Sequence, residues 1–378
     1  MEFIDLKTQY RRLREPINER IQAVLDHGQF VLGAEIEELE ERLADLVGAG
    51  HCVTVASGTD ALLMALMALD VGAGDEVITT PFTFVSTAEA ITLLGATPVF
   101  VDIDRRTYNI DPNLIEPAVT GRTRAIMAVS LFGQCADFDR INEVGGRHGI
   151  AVIEDAAQSL GARYKQRHSC ALSSLAAASF YPSKPLGCYG EGGAVFADDA
   201  ALAESVRELR VHGQDRGYHY VRVGLNGRMD TMQAAIVLAK LDAFADELND
   251  RQQVARRYAT LIEQAFADFA PQRTVRPPYV EPHNDPVYAQ YTIEVPNRSA
   301  VREFLASRDI PTAVHYPVPL HLQPAYAAMH TGRRFPIAED VARRVISLPM
   351  HPYLKESDQV RVVTALRDAV ARDRAAPE

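Results

Sequence analysis

Three short stretches of this chain carry side chains suited to covalent and proton-transfer chemistry. Ser57-Gly58-Thr59-Asp60 follows an apolar run and opens a helical pattern, so free backbone N–H groups, a hydroxyl and the positive end of a helix converge on one point. A single phosphate fits there. The stretch is not a nucleotide-triphosphate loop, because no G-x-x-x-x-G-K-[ST] occurs, and Ser57 or Thr59 serves equally well as a plain helix N-cap. Asp155, in Glu154-Asp155-Ala156-Ala157-Gln158, stands at the carboxyl end of an apolar run, where open α/β sheets bind ligands. A carboxylate there is costly unless a cation faces it, such as the protonated ring nitrogen of a pyridine; the alternative is an Asp capping the next helix. Lys184, in Ser179-Phe180-Tyr181-Pro182-Ser183-Lys184-Pro185-Leu186-Gly187, follows a buried-looking strand in a turn with few neighbouring charges. A desolvated lysine has a lowered pKa and supplies the neutral amine that condenses with a carbonyl, whereas a surface turn lysine does nothing. The run GCYGEGG at 187–193 looks like a dinucleotide loop, but a strand pattern follows it instead of a helix, so it reads as a tight glycine turn.

A phosphate cup, an acid for a ring nitrogen and a carbonyl-condensing lysine, in that order, meet the needs of one common cofactor, pyridoxal 5′-phosphate. The elements that position them are legible. From 51 to 199, β-branched runs alternate with amphipathic stretches, the rhythm of a largely parallel sheet covered by helices. Strands are expected at 52–56, 76–79, 98–102, 125–129, 150–154, 175–180 and 194–197, with helices near 60–69, 84–94 and 138–148 and another starting near Asp199. Two N-terminal helices are expected at 6–26 and 34–47, separated by Gly28 and Gly33. Helical patterns return at 229–244 and 247–266. Five prolines between 271 and 286 then mark a linker, followed by a small α+β unit with strands at 288–295 and 312–316 and a helix at 300–307.

At 378 residues the chain exceeds the roughly 250–300 that one core supports, so two lobes are expected, divided as 1–245 and 246–378. The 47% hydrophobic and 24% charged composition excludes a natively unfolded chain. The net charge of −11 repels phosphate backbones and anionic membranes, which argues against nucleic-acid binding. The opening Met1-Glu2-Phe3-Ile4-Asp5 has no secretory or transit character, and the richest apolar run, 91–103, is short and broken by Gly95, Pro98 and Asp102. Four scattered cysteines without a C-x-x-C pair suit reduced thiols. A cytoplasmic location without membrane contact is expected.

The segments SGTDALLMAL, PFTFVSTAEAI, GATPVFVDID, EDAAQSLGA, SFYPSKPLGCYGEGGA, GLNGRMDTMQAAI and AVHYPVPLHLQPAY together resemble the DegT/StrS family of pyridoxal-phosphate-dependent nucleotide-sugar aminotransferases over nearly the whole chain. The resemblance implies the fold type I architecture: a large, mostly parallel seven-stranded sheet sandwiched by helices, with a smaller C-terminal α+β domain. It also implies Lys184 as the lysine bonded to the cofactor, Asp155 as the acid on the pyridine nitrogen, and Gln158 as the amide on the phenolic oxygen. Gly58, Thr59 and Ser179 match the phosphate cup, and Asn226 matches an asparagine that reaches the phosphate of the other subunit, which implies a homodimer with shared sites. An aromatic of Pro81-Phe82-Thr83-Phe84 should stack on the ring, Phe84 before Phe82. Some relatives carry His in place of the lysine and eliminate instead of transaminating; this chain keeps Lys184.

The runs SKPLGCYGEGG, HGQDRGYHYVRVG and AVHYPVPL are most similar to members acting on a UDP-linked 2-acetamido-3-keto-hexuronate, with L-glutamate as implied amino donor and a 3-amino sugar for bacterial surface polysaccharide as product. Arg228 would then hold the uronate carboxylate, and His315 and Tyr316 would line the sugar pocket. The arginine also occurs in relatives acting on neutral sugars, so a neutral 3- or 4-keto nucleotide sugar stays open, as does a non-catalytic regulator that binds the cofactor. The basic run Arg210, His212, Arg216, His219 and Arg222 is either a partner for substrate phosphates or a solvated charged surface. His315 and His321 have no third ligand nearby, so no metal is expected.

Overall fold

The structure is a computed structural model and describes residues 1–271 and 274–372. Residues 272 and 273 of the expected linker and 373–378 of the expected second domain therefore lie outside the described residues.

Seven strands form the large sheet: β1 (His51–Val55), β2 (Glu76–Thr79), β3 (Thr97–Phe100), β4 (Thr123–Val129), β5 (Ala151–Asp155), β6 (Leu175–Ser179) and β7 (Gly193–Ala197), in the order β1-β7-β6-β5-β4-β2-β3. Their near-continuous Val, Ile and Ala content suits strands buried on both faces. All pair in parallel except β7, which is antiparallel to both β1 and β6. The carboxyl ends of the parallel strands therefore share one edge, and the loop from β6 back to β7, which carries Lys184, closes on that edge. One face packs against the helices Gly58–Ala68, Ser86–Leu93 and Ala200–Leu209. The other lies against Ala34–Val47 and Thr231–Leu241, where Leu39, Leu43, Phe180, Phe196 and Leu238 are buried together.

The long helix Phe244–Ala265 leads to the second core, where it packs with Arg298–Ala306 and Glu356–Arg372 over a two-stranded antiparallel sheet, Tyr291–Glu294 with Val345–Leu348. Among the described residues no helix is long and apolar enough to cross a membrane.

Two expectations need correction. The N-terminal stretch 6–26 is two helices, Leu6–Arg12 and Arg14–His27, interrupted at Leu13. The stretch 312–316 is not a strand; only Ala313 makes a bridge, to Ser347, because the chain turns into the site at His315. The described part of the proline-rich stretch runs from the second core, where Val275 is buried, to the large lobe, where the Glu281 N–H donates to Gln134 at 2.8 Å and Asn284–Asp285 pairs with Arg163–Tyr164.

Candidate active site

Asp155 is the last residue of β5, in register with Val129 of β4 and Ala177 of β6, so it stands at the middle of the sheet's carboxyl edge. It is buried, and its Oδ2 accepts from the Thr87 hydroxyl at 2.8 Å while its Oδ1 accepts from the Ala157 N–H at 3.2 Å. Burial pushes its carboxyl above the ordinary value, opposed by those two donors and by the charge of Lys184. Thr87 accepts in turn from Thr83 at 2.9 Å, which ties the segment after β2 to the acid.

Lys184 sits in the β6–β7 loop. Burial pushes its amine below the ordinary lysine range, and the nearby Asp155 charge only partly offsets this. Desolvation thus favours the neutral, nucleophilic form of the amine.

The helix Gly58–Ala68 begins where β1 ends, with the Ser57 hydroxyl accepting from the Asp60 N–H at 3.0 Å. The N-cap expectation for Ser57 is met, and Thr59 remains available on the first turn, its hydroxyl 2.8 Å from that of Ser86. A Cβ on Gly58 would lie 2.6 Å from Cβ of Ser179, so glycine is required for the helix start to approach the Ser179 hydroxyl. Free N–H groups and three hydroxyls, of Thr59, Ser86 and Ser179, are gathered in this way.

Gln158 accepts from the Phe132 N–H at 2.8 Å and donates to the Tyr316 hydroxyl at 3.2 Å, joining the large lobe to the 315–316 segment. The Tyr316 hydroxyl is pushed up by burial and by Asp155. His315 Nδ1 lies 2.9 Å from the Ser347 hydroxyl, and burial, aided by Lys184, pushes the ring down to about 4, so it is neutral at physiological pH. Phe82 is fully buried against Tyr108, Phe132 and Tyr316, whereas Phe84 is 54% exposed with its ring 6.2 Å from that of Tyr316. The open aromatic at this edge is Phe84.

Asn226 is exposed and Arg228 half-buried; the Gly227 carbonyl between them accepts from the Ala56 N–H at 2.8 Å, so both flank the entrance to the Ser57 turn. The basic run divides. Arg210 pairs with Glu40 and donates to the Thr54 carbonyl, and Arg222 pairs with Glu208 at 2.7 Å, so neither is free for a substrate. His219 lies 2.7 Å from Asp215. His321 lies 3.3 Å from Glu339, away from the Ser347 partner of His315.

Sequence reasoning missed Ser86 and Thr87. The hydroxyl-rich spelling of Thr83, Ser86 and Thr87, at helical spacing one turn apart, was the available signal.

These residues fit pyridoxal phosphate. Asp155 is a buried carboxyl with two donors and, among the described residues, no ion pair, which leaves room for a cation; the Gly58–Ser179 cradle supplies anion donors; and Lys184 is a desolvated amine close enough to feel the charge of Asp155.

The comparisons agree. The DegT/DnrJ/EryC1/StrS aminotransferase family description matches residues 11–367. The chain is 53% identical over 365 residues to the UDP-2-acetamido-2-deoxy-3-oxo-D-glucuronate aminotransferase of Pseudomonas aeruginosa, covering 97% of this chain and 99% of that one. It is 42% identical over 371 residues to the dTDP-3-amino-3,4,6-trideoxy-alpha-D-glucose transaminase of Streptomyces venezuelae, covering 98% and 96%. The crystal structure of S. venezuelae DesV in complex with a ketimine intermediate superposes with a TM-score of 0.93 at 41% identity, covering 98% of each chain. With the acid, the amine and the anion cradle in these positions, the chain belongs to the DegT/DnrJ/EryC1/StrS aminotransferase family, whose members use pyridoxal phosphate.

Proposed function

We propose that this aminotransferase moves an amino group from L-glutamate to the C3 ketone of a UDP-linked 2-acetamido-3-keto-hexuronate, giving a 3-amino sugar nucleotide for surface polysaccharide. The carrying observation is the 53% identity, end to end, with a relative named for that 3-oxo-glucuronate substrate. The reading also assigns the protein to the cytoplasm, as a homodimer with shared sites, and divides the chain into a cofactor-binding lobe, 1–245, and a second lobe, 246–378, that brings His315 and Tyr316.

When bound, the cofactor supplies an aldehyde carbon that takes up an amine and a cationic ring that accepts an electron pair. Lys184, whose neutral form desolvation favours, would take the proton from the donor's α-carbon and return it to the former aldehyde carbon on the other side of the nitrogen, and with the ketone substrate would move a proton in the reverse sense. Asp155 would hold a proton on the ring nitrogen, and the Thr87 bond aims the carboxyl and favours its ionised form against burial. Gly58, Thr59 and Ser179 would hold the phosphate, Phe84 would cover the ring, and Gln158 would serve the phenolic oxygen. Asn226 of each protomer would serve the phosphate in its partner, in keeping with its exposure. Arg228 pairs with the uronate carboxylate, and neutral His315 and Tyr316 line the sugar site without adding charge.

The rival reading, a neutral 3- or 4-keto nucleotide sugar, gains support from Arg210 and Arg222, whose internal ion pairs leave fewer cations for a uronate. Matched keto sugars with and without the C6 carboxylate separate the two. A preference of about tenfold or more in kcat/KM for the uronate, lost in Arg228→Met, supports the proposal; equal turnover of both sugars removes it.

A further inference from the structure

The helix Thr231–Leu241 carries a lysine with no assigned role. Lys240 is 2% exposed, and its Nζ donates to the Gly187 carbonyl at 2.6 Å and lies 4.0 Å from the ring centroid of Tyr189. Two turns earlier on the same helix face, Gln233 Oε1 accepts from the Tyr189 N–H at 2.9 Å. The carboxylate whose charge acts on Lys240, Glu247, is already engaged by Gln9 at 2.8 Å and by Tyr353, and no ion pair to Lys240 exists among the described residues. A buried ammonium held by one carbonyl and one aromatic face is expensive, and a methionine would fill the same space at lower cost. The fold alone does not call for it.

What Lys240 and Gln233 hold is the far end of the turn that bears Lys184. That turn is closed on itself: the Lys184 N–H donates to the Tyr181 carbonyl at 2.9 Å and the Cys188 N–H to the Phe180 carbonyl at 2.7 Å. A Cβ on Gly187 would lie 2.6 Å from the Tyr181 oxygen, so Gly187 is pressed against the start of the turn. A pull on the Gly187 carbonyl is therefore transmitted to the residues on either side of Lys184. The helix itself is seated on Arg14–His27 through Ile17, Ile236 and Ala239, with Tyr10 and Tyr189 packed alongside.

We propose that Gln233 and Lys240 are positioning residues for the Lys184 amine, clamping its turn from beneath through Tyr189 and Gly187. The clamp rests on the reading of Lys184 as the reacting amine. It acts on the aim and basicity of that amine and touches neither substrate, so its loss should appear in the rate of proton transfer and not in substrate affinity. Burial pushing the Lys240 ammonium down to about 8 agrees with a group kept for its hydrogen bond and not for a salt bridge.

The test uses the pyridoxal-phosphate-loaded protein as wild type, Lys240→Met, Lys240→Gln and Gln233→Leu. Three quantities are read: kcat and KM of the glutamate half-reaction, the pH titration of the cofactor's visible absorption band, and the residue labelled after borohydride reduction. Lys240→Met is expected to lower kcat about tenfold to a hundredfold, the cost of about an ångström of misplacement. KM should stay within about twofold and the band midpoint should move by about half a pH unit or more. Lys240→Gln, which keeps a donor for Gly187, should recover most of both losses. Wild-type kcat together with an unmoved band in Lys240→Met overturns the clamp; if that variant does not fold, the same outcome in Gln233→Leu overturns it. A borohydride label away from Lys184 in the wild type defeats the underlying reading instead, whereas failure of the clamp leaves that label in place.

Discussion

Glu154 and Asp155 are adjacent carboxyls at the end of one strand, and they face opposite sides of the sheet, as strand geometry requires. Both are buried, and burial pushes both above the ordinary carboxylate value. Their surroundings differ. Glu154 is saturated: the hydroxyls of Ser130 and Ser169 donate to Oε1 at 2.6 and 2.8 Å, and the Cys170 N–H donates to Oε2 at 2.8 Å. Among the described residues Asp155 accepts only from the Thr87 hydroxyl and the Ala157 N–H, and its open side faces the Lys184 region. The first carboxylate pins the loops after β4, β5 and the Arg163–His168 hairpin to one another; the second is left wanting a cation. A buried acid serves the fold when its acceptors are filled and serves chemistry when they are not.

The contrast can be broken by substitution. Lys184→Ala removes the amine on the open side and should lower multiple turnover about 10³-fold or more; turnover at the wild-type rate would mean that another base moves the proton. Asp155→Asn should lower kcat about 10²-fold while the apoprotein's melting temperature stays within a few degrees. Glu154→Gln should do the reverse, costing about 2 kcal/mol in denaturant unfolding with kcat of the folded fraction within about threefold. If the two variants behave alike, the distinction fails. Thr87→Val sharpens it at smaller cost. The Thr87 bond lowers the Asp155 pKa against the opposing effect of burial, so removing it raises that pKa, and the working carboxylate is lost at a higher pH as the medium is acidified. The acid limb of the kcat profile should shift to higher pH and the maximum fall about fivefold; an unmoved limb would assign the bond a purely structural part.

Much of this was legible before any fold was known. Asp155 declared itself by ending the apolar run 150–153, Lys184 by its proline- and glycine-bounded turn after an alanine-rich strand, and Gly58 by opening a helix directly after one. These features are local, and the rule that parallel strands point their carboxyl ends the same way brings them together. What was not legible depends on long-range pairing. Thr87 meets Asp155 across 68 residues of sequence, and Arg210 meets Glu40 across 170. The former looked like ordinary helix content and the latter like a free surface cation. The antiparallel course of β7 and the collapse of 312–316 to a single bridge were hidden for a related reason: alternation of side chains marks a strand but says nothing of its direction or of whether a partner awaits it. The Lys240 clamp was invisible because a lysine near the end of a helix usually reads as a C-terminal surface charge.

On this reading the Lys184 amine is the group that bonds the cofactor, beside a carboxyl held by Thr87. Borohydride reduction of the pyridoxal-phosphate-loaded protein, followed by proteolysis and peptide mass mapping, tests it most directly. The account predicts one modified side chain, at Lys184, absent from Lys184→Ala; a label on any other lysine, or none in a protein that holds the cofactor, contradicts it.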